Sequence, residues 1–303
     1  MPELPEVQAL VEFLDRRTRG HVVTAASLGQ ISALKTYAPP LSALVGGTVA
    51  GVARHGKWID LEVVGPESLH LVLHLSRGGW VRWHDTVPTT PVRPRAGGAG
   101  GGRPTLALRV ALDDGSGFDV TEAGTRKRLA VHVVHDAAEV PQVATLGVEP
   151  LSPAFTVERF AALLAARNQQ VKGLLRDQGT IAGIGNAYSD EILHAARTSP
   201  FRLTKTYRDA LDDVAALHRA TVEVLTEAVA AASGKPAAEL KDAKRRGMRV
   251  HGRTGEPCPG WDGTPCGDVV HEVSFADSSL QYCPTCQTGG TPLADRRMSR
   301  LLR

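Results

Sequence analysis

Pro2-Glu3-Leu4-Pro5-Glu6 opens the chain immediately behind Met1. Pro at a first helical turn and acids near the positive helix end mark a helix start. Val7, Leu10, Val11 and Leu14 then follow helical spacing, and Gly20 supplies a stop. The same five residues also allow chemistry. Once Met1 is removed, Pro2 presents a secondary amine beside two carboxylates. An N-terminal amine ionises near pH 8, so about a tenth of it is unprotonated at neutral pH. That fraction is a nucleophile toward a sugar carbon, with Glu3 beside it as proton carrier.

Downstream of this helix the pattern changes. Val49–Val52, Trp58–Val64, Leu69–Leu75, Leu106–Leu112 and Leu129–Val134 are short runs rich in β-branched residues, separated by turn-formers. They predict an antiparallel sandwich or barrel. Pro88–Pro104, rich in Pro, Gly and Arg, is expected to be a loop, and residues 136–153 a connector. From Phe160 to Ala232 the spacing is helical. It is interrupted by Gly183-Ile184-Gly185-Asn186, a glycine turn that opens a helix and can offer backbone N–H groups to a phosphate.

All four cysteines, Cys258, Cys266, Cys283 and Cys286, lie in the last fifth of the 303 residues. Cys283-Pro284-Thr285-Cys286 is a metal knuckle, whereas Cys258 and Cys266 are separated by a turn-rich insert, residues 259–265. Four thiolates with such spacing predict one structural zinc per chain, with no open coordination position. The net charge of +3 is a weak indicator of partner, but basic residues cluster at residues 126–128, 241–249 and 296–303. The chain has no long apolar span, and its start lacks the layout of a secretory signal. The expectation is a cytoplasmic protein, at the nucleoid if bacterial, with no membrane partner.

The order of these parts resembles the formamidopyrimidine-DNA glycosylase / endonuclease VIII family of base-excision repair enzymes. The resemblance rests on Pro2-Glu3-Leu4-Pro5-Glu6, on Gly183-Ile184-Gly185-Asn186-Ala187-Tyr188, and on Gly252-Arg253-Thr254-Gly255-Glu256-Pro257-Cys258. It implies an α+β chain: an N-terminal helix plus antiparallel β-sandwich over 1–135, a linker over 136–153, and a helical helix–two-turn–helix domain over 154–249. A zinc-finger β-ribbon over 250–290 and a basic tail over 291–303 complete it. The implied partner is damaged double-stranded DNA, bound by a monomer, with Zn2+ as the sole cofactor.

The resemblance also implies roles. Pro2 is the nucleophile, Glu3 its proton donor, Glu6 an orienting group, and Lys57 a strand lysine near the target phosphates. His74, Lys172 and Asn186 contact the DNA backbone. Arg77, Lys127 and Leu129 stand where the family places the side chains that fill the gap left by a flipped base. Three departures bear on substrate. Arg77 replaces a methionine, Leu129 an aromatic, and Ser278 an arginine that grips phosphate at the lesion. The segment from Gly234 to Val250 is also short and basic where purine-specific members carry a longer cover, which leans toward an endonuclease VIII-like substrate. The rival expectation is a binder of damaged or abasic DNA that has lost turnover.

Overall fold

The computed structural model describes residues 1–95, 104–275 and 278–294. Residues 96–103 of the expected loop at 88–104 and residues 295–303 of the basic tail therefore lie outside the described residues. Two compact units divide the chain. One is Met1–Leu146 with Ala232–Lys241, the other Gly147–Ala231 with Asp242–Arg303.

In the first unit, α1 (Leu4–Thr18) buries Leu4, Val7, Leu10 and Leu14 completely, as their helical spacing demands. The stop is Gly20, at φ +84°. Among the described residues eight strands follow: β1 (Val23–Leu28), β2 (Thr48–His55), β3 (Trp58–Val64), β4 (Ser68–His74), β5 (Gly79–His84), β6 (Thr105–Leu112), β7 (Gly117–Glu122) and β8 (Ala130–Val134). They form two antiparallel sheets, ordered β1-β6-β7-β5 and β2-β3-β4-β8. Alternation along β3 and β4 sends Ile59, Leu61, Val63, Leu71 and Leu73 into one core with Val110, Phe118 and Val120 of the other sheet and with α1.

Residues 136–146 are not a bare connector. Asp136 caps a short 3-10 turn, and α2 (Pro141–Ala144) follows. Ala137 and Val140 pack on Trp58, Val72 and Val134, the outward face of the second sheet. The returning segment Ala232–Lys241 also belongs here. Ala237 O accepts the Trp80 indole N–H at 3.0 Å, and the Lys241 ammonium lies 4.5 Å from the Trp80 ring centroid.

The second unit holds α3 (Val157–Ala166), α4 (Val171–Arg176), α5 (Asn186–Ala195) and most of α6 (Leu211–Ala232). The basic stretch expected as a short loop contains α7 (Leu240–Gly247). A two-stranded ribbon, β9 (His271–Ser274) with β10 (Ser279–Tyr282), pairs His271 with Tyr282 and leads into α8 (Pro284–Thr288).

Candidate DNA-processing site and metal centre

Pro2 and Pro5 are buried at the head of α1, and so are both carboxylate residues between and after them, each 2% exposed. The Glu6 carboxylate accepts the Glu3 N–H at 2.9 Å, the return arm of a capping box. That bond fixes the backbone on which Glu3 and Pro2 are carried. A Pro-rich first turn has few backbone donors to satisfy, so this entrance can be buried at little cost.

Lys57 occupies a two-residue hairpin loop with Gly56, whose φ of +55° is the left-handed conformation that glycine adopts freely. It is buried, 8% exposed. Arg54 ties this loop to α1: its guanidinium donates to Gln8 Oε1 at 2.8 Å and to Gly56 O at 3.0 Å. At the hairpin base the buried Asp60 bridges His55 (3.0 Å) and His70 (2.8 Å). Arg54 thus ties the hairpin loop that carries Lys57 to Gln8 of α1.

His74 pairs with Trp58 across β3 and β4, with ring centroids 4.7 Å apart. Burial, helped by the nearby Lys57 charge, lowers its pKa to about 4, so the ring is neutral near pH 7. It can serve a phosphate as a hydrogen-bond donor but not as a cation.

Arg77 projects as an exposed side chain from the β4–β5 loop. Two glycines hold that loop down. A Cβ on Gly78 would meet Ala123 O at 2.2 Å, and one on Gly79 would meet Leu75 O at 2.1 Å. The close approach lets Ala123 N–H donate to Gly78 O at 2.9 Å, joining the Arg77 loop to the β7–β8 loop.

The β7–β8 loop carries the other two expected gap-filling residues, and neither is exposed. Leu129 is in the core beside Val131 and Val133, 1% exposed. Lys127 folds back, donating to Glu122 O at 2.7 Å and Thr105 Oγ1 at 2.9 Å. The loop is pinned by the buried Glu122, whose Oε1 accepts the N–H groups of Arg128 (2.6 Å) and Leu129 (3.0 Å). Arg126 and Arg128 are the exposed cations of this loop.

In the second unit the glycine turn is built as expected, with Gly183 at φ +87° and its N–H bonded to Gln178 Oε1 at 3.0 Å. Asn186 heads α5, and its side-chain amide donates to Ser279 O of the ribbon at 2.7 Å. Lys172, expected to contact the DNA backbone, is buried, 6% exposed. Its ammonium donates to Asp190 Oδ1 (2.5 Å), Ser189 Oγ (2.7 Å) and Asn186 O (3.2 Å), which uses all three protons. Asp190, fully buried, also bonds His251 Nδ1 at 2.8 Å.

Glu191, which the sequence did not single out, is buried next to it. It accepts the N–H groups of Arg249, Val250 and His251 at 2.8, 3.0 and 2.8 Å. Burial raises its pKa, and the neighbouring Asp190 charge adds to this, against the lowering by the three N–H bonds.

The four cysteines converge as predicted, their sulfurs all within 4.8 Å of one another. The Cys258–Cys286 and Cys266–Cys283 sulfur pairs are 3.9 and 3.5 Å apart. Zn–S bonds of about 2.3 Å in a tetrahedron require S···S edges of about 3.8 Å, so the cluster fits zinc closely. The long insert returns because Gly260, at φ +80°, lies against Thr264, where a Cβ would meet the carbonyl oxygen at 1.9 Å. Gly260 and Cys286 N–H groups point at Cys258 and Cys283 sulfurs. His194 of α5 approaches Cys258 Sγ at 3.3 Å, and burial, with Arg249 adding, lowers its pKa to about 4. Ser278, in the place of the family arginine, accepts the Phe275 N–H through its carbonyl at 2.7 Å.

No helix among the described residues is long and apolar enough to cross a membrane. Comparison with known proteins matches residues 1–129 to the formamidopyrimidine-DNA glycosylase N-terminal domain and residues 146–238 to the H2TH domain of the same enzymes. A formamidopyrimidine-DNA glycosylase of Roseiflexus sp. is 34% identical over 95% of this chain and 100% of its own length. An uncharacterized formamidopyrimidine-DNA glycosylase-like protein of Mycobacterium tuberculosis is 52% identical over 166 residues, covering 55% of this chain and 99% of that protein. The crystal structure of the MutM (Fpg) protein from Thermus thermophilus superposes with a TM-score of 0.75 at 28% identity, covering 96% of this chain and 100% of that one. A Lactococcus lactis Fpg bound to abasic-site DNA shares the fold, with a TM-score of 0.75 at 23% identity over 94% and 99% of the two chains. With the proline-headed helix, the double sheet, the glycine turn and the cysteine cluster in one order, this chain belongs to the formamidopyrimidine-DNA glycosylase family.

Proposed function

We propose that the chain is a bifunctional DNA glycosylase and abasic-site lyase of base-excision repair, acting on damaged double-stranded DNA. The observation that carries the reading is the buried Pro2-Glu3 head of α1, fixed by Glu6, within a chain of this family. A base must leave the stack before its glycosidic bond can be reached, at a cost of a few kcal/mol. With Met1 removed, the Pro2 nitrogen lone pair forms a bond to C1′ as the C1′–base bond breaks, and the N–H proton that Pro2 then loses neutralises the departing base. Glu3 gives a proton to the sugar ring oxygen, which opens the ring and leaves an iminium between Pro2 and C1′. The iminium acidifies C2′–H; loss of that proton expels the 3′-phosphate and nicks the strand. Splitting one displacement into two easier steps is the gain of covalent catalysis.

Lys57 and His74 serve the phosphates next to the reacting sugar, one as a fixed charge and the other as a neutral donor. Arg77 enters the gap left by the flipped base and hydrogen-bonds the orphaned partner. In the second unit the start of α5, tied to the ribbon through Asn186, is the end that meets phosphate. Cys258, Cys266, Cys283 and Cys286 hold one zinc, which shapes the ribbon and takes no part in the chemistry. The neutral Ser278 grips phosphate less than a charged group would, so the second elimination is expected to lag the first.

The test is borohydride reduction in the presence of duplexes carrying an abasic site, an oxidised purine or an oxidised pyrimidine. The protein is first shown by mass spectrometry to begin at Pro2. A covalent adduct and a nick are expected, and both disappear in Pro2→Gly extended by one residue. Tight binding of the abasic duplex with neither adduct nor nick would instead establish a non-catalytic binder.

A further inference from the structure

Helix α5 reaches the cysteine cluster from outside it. His194, in its last turn, is fully buried, and Nε2 lies 3.3 Å from Cys258 Sγ. Its other nitrogen, Nδ1, is buried with no hydrogen-bond partner among the described residues. A neutral imidazole carries one N–H and one bare nitrogen. A proton on Nδ1 would leave a donor unsatisfied and turn the Nε2 lone pair toward the electron-rich sulfur. A proton on Nε2 gives the donor a partner and leaves only a bare acceptor unpaired. The second arrangement costs less on both counts.

The sulfur itself supplies the other half of the argument. Four thiolates around one Zn2+ carry a net charge of −2 in a mostly buried site. Outer donors spread that charge and hold the ligands in place. Cys258 receives two, the Gly260 N–H at 3.4 Å and the His194 ring. Cys266, by contrast, is the one partly exposed ligand. Because the four sulfurs already complete a tetrahedron, His194 is not needed as a ligand.

We infer that His194 is an outer-sphere N–H donor to the Cys258 thiolate, making Cys258 the least reactive ligand and slowing loss of zinc from the finger. The inference rests on the zinc reading of the cysteine cluster. Function of the finger is thereby tied to the helix that starts at Asn186, since both residues sit on α5.

The experiment compares the wild-type chain with His194→Phe, which keeps a buried ring but no N–H, and His194→Gln, whose amide nitrogen reaches about as far as Nε2. Zinc transfer to an excess of chromogenic chelator is followed in the native proteins, together with the order in which iodoacetamide labels the four cysteines. Zinc release about 10–100-fold faster in H194F is expected, with partial recovery in H194Q. Cys258 should move from last labelled to early labelled. Unchanged release and labelling order in a folded H194F would overturn the inference and leave His194 a core ring. If H194F does not fold, nitrogen chemical shifts of the wild-type imidazole decide: an Nε2–H tautomer supports the inference and an Nδ1–H tautomer overturns it. A wild-type protein purified without any zinc would instead fail the zinc reading, which metal analysis reports separately.

Discussion

Replacing Glu191 by alanine strands three backbone donors with one substitution. Arg249 donates to Oε2, and Val250 and His251 to Oε1, at 2.8, 3.0 and 2.8 Å. Val250 is 0% exposed, whereas Arg249 and His251 are half-buried and water can reach them in part. A buried donor without a partner costs about 1–3 kcal/mol. Charging that in full to Val250 and about half to each of the others gives about 2–6 kcal/mol. Relief of the buried carboxylate, whose raised pKa marks an uncomfortable charge, works in the opposite direction and favours the lower half of that range. Glu191→Gln keeps the carbonyl that Val250 and His251 use and turns an NH2 toward Arg249. It loses one bond, for about 1–3 kcal/mol. The expected order of stability is wild-type, then Gln, then Ala. Because the chain has two units, the transition of the second must be followed on its own, by hydrogen exchange at residues 249–251 through a urea series. If those amides remain as protected in the alanine variant as in the wild type, the carboxylate is not what anchors the approach to the finger.

Three further outcomes follow from the same geometry. Gly79→Ala drives a methyl into Leu75 O and should destabilise the first unit by about 1–3 kcal/mol or more, read as a lower Tm; an unchanged Tm would show that the loop yields freely. His74 has its pKa lowered to about 4 from an ordinary 6.5, so the folded state binds fewer protons than the unfolded one between those values. Its stabilising contribution is complete above pH 6.5 and is lost as pH falls toward 4, and His74→Phe should flatten Tm against pH in that window. Stripping zinc with a chelator should abolish exchange protection at Val270 and Leu280 while leaving β3 and β4 protected. Persistent protection of the ribbon in verified metal-free protein would contradict a structural role for zinc.

Much of this molecule is legible from pattern alone. The spacing Val7, Leu10, Val11, Leu14 specifies α1, and Trp58–Val64 coincides with β3. The unread strands have physical reasons for their silence. β1 is Ala- and Ser-rich, β5 starts on glycine, and β7 buries Asp119, Thr121 and Glu122, with Asp119 held by the Arg109 guanidinium at 2.7 and 2.9 Å. A buried strand whose polar residues find partners on other strands carries no apolar run. The same limit explains the site. A cysteine knuckle is local and visible, but Lys172 reads as a free cation until Asp190, eighteen residues on, is brought beside it. Leu129, just before β8, reads as a stand-in for an aromatic, and only the folded chain shows it packed in the core with Val131 and Val133. Glu191 and His194 acquire their roles only from partners some 60 residues away.

Helix α5 spends five of its ten side chains on polar partners outside it: Asn186 on the ribbon, Ser189 and Asp190 on Lys172, Glu191 on the chain before the finger, His194 on a cysteine. Such a hub constrains how the family can vary. A finger grafted from a relative would arrive without the carbonyl, the amides and the sulfur that these ten residues are cut to meet. In this lineage the helix and the finger should therefore change together or not at all, and chimaeras that exchange both should fold where those that exchange one do not.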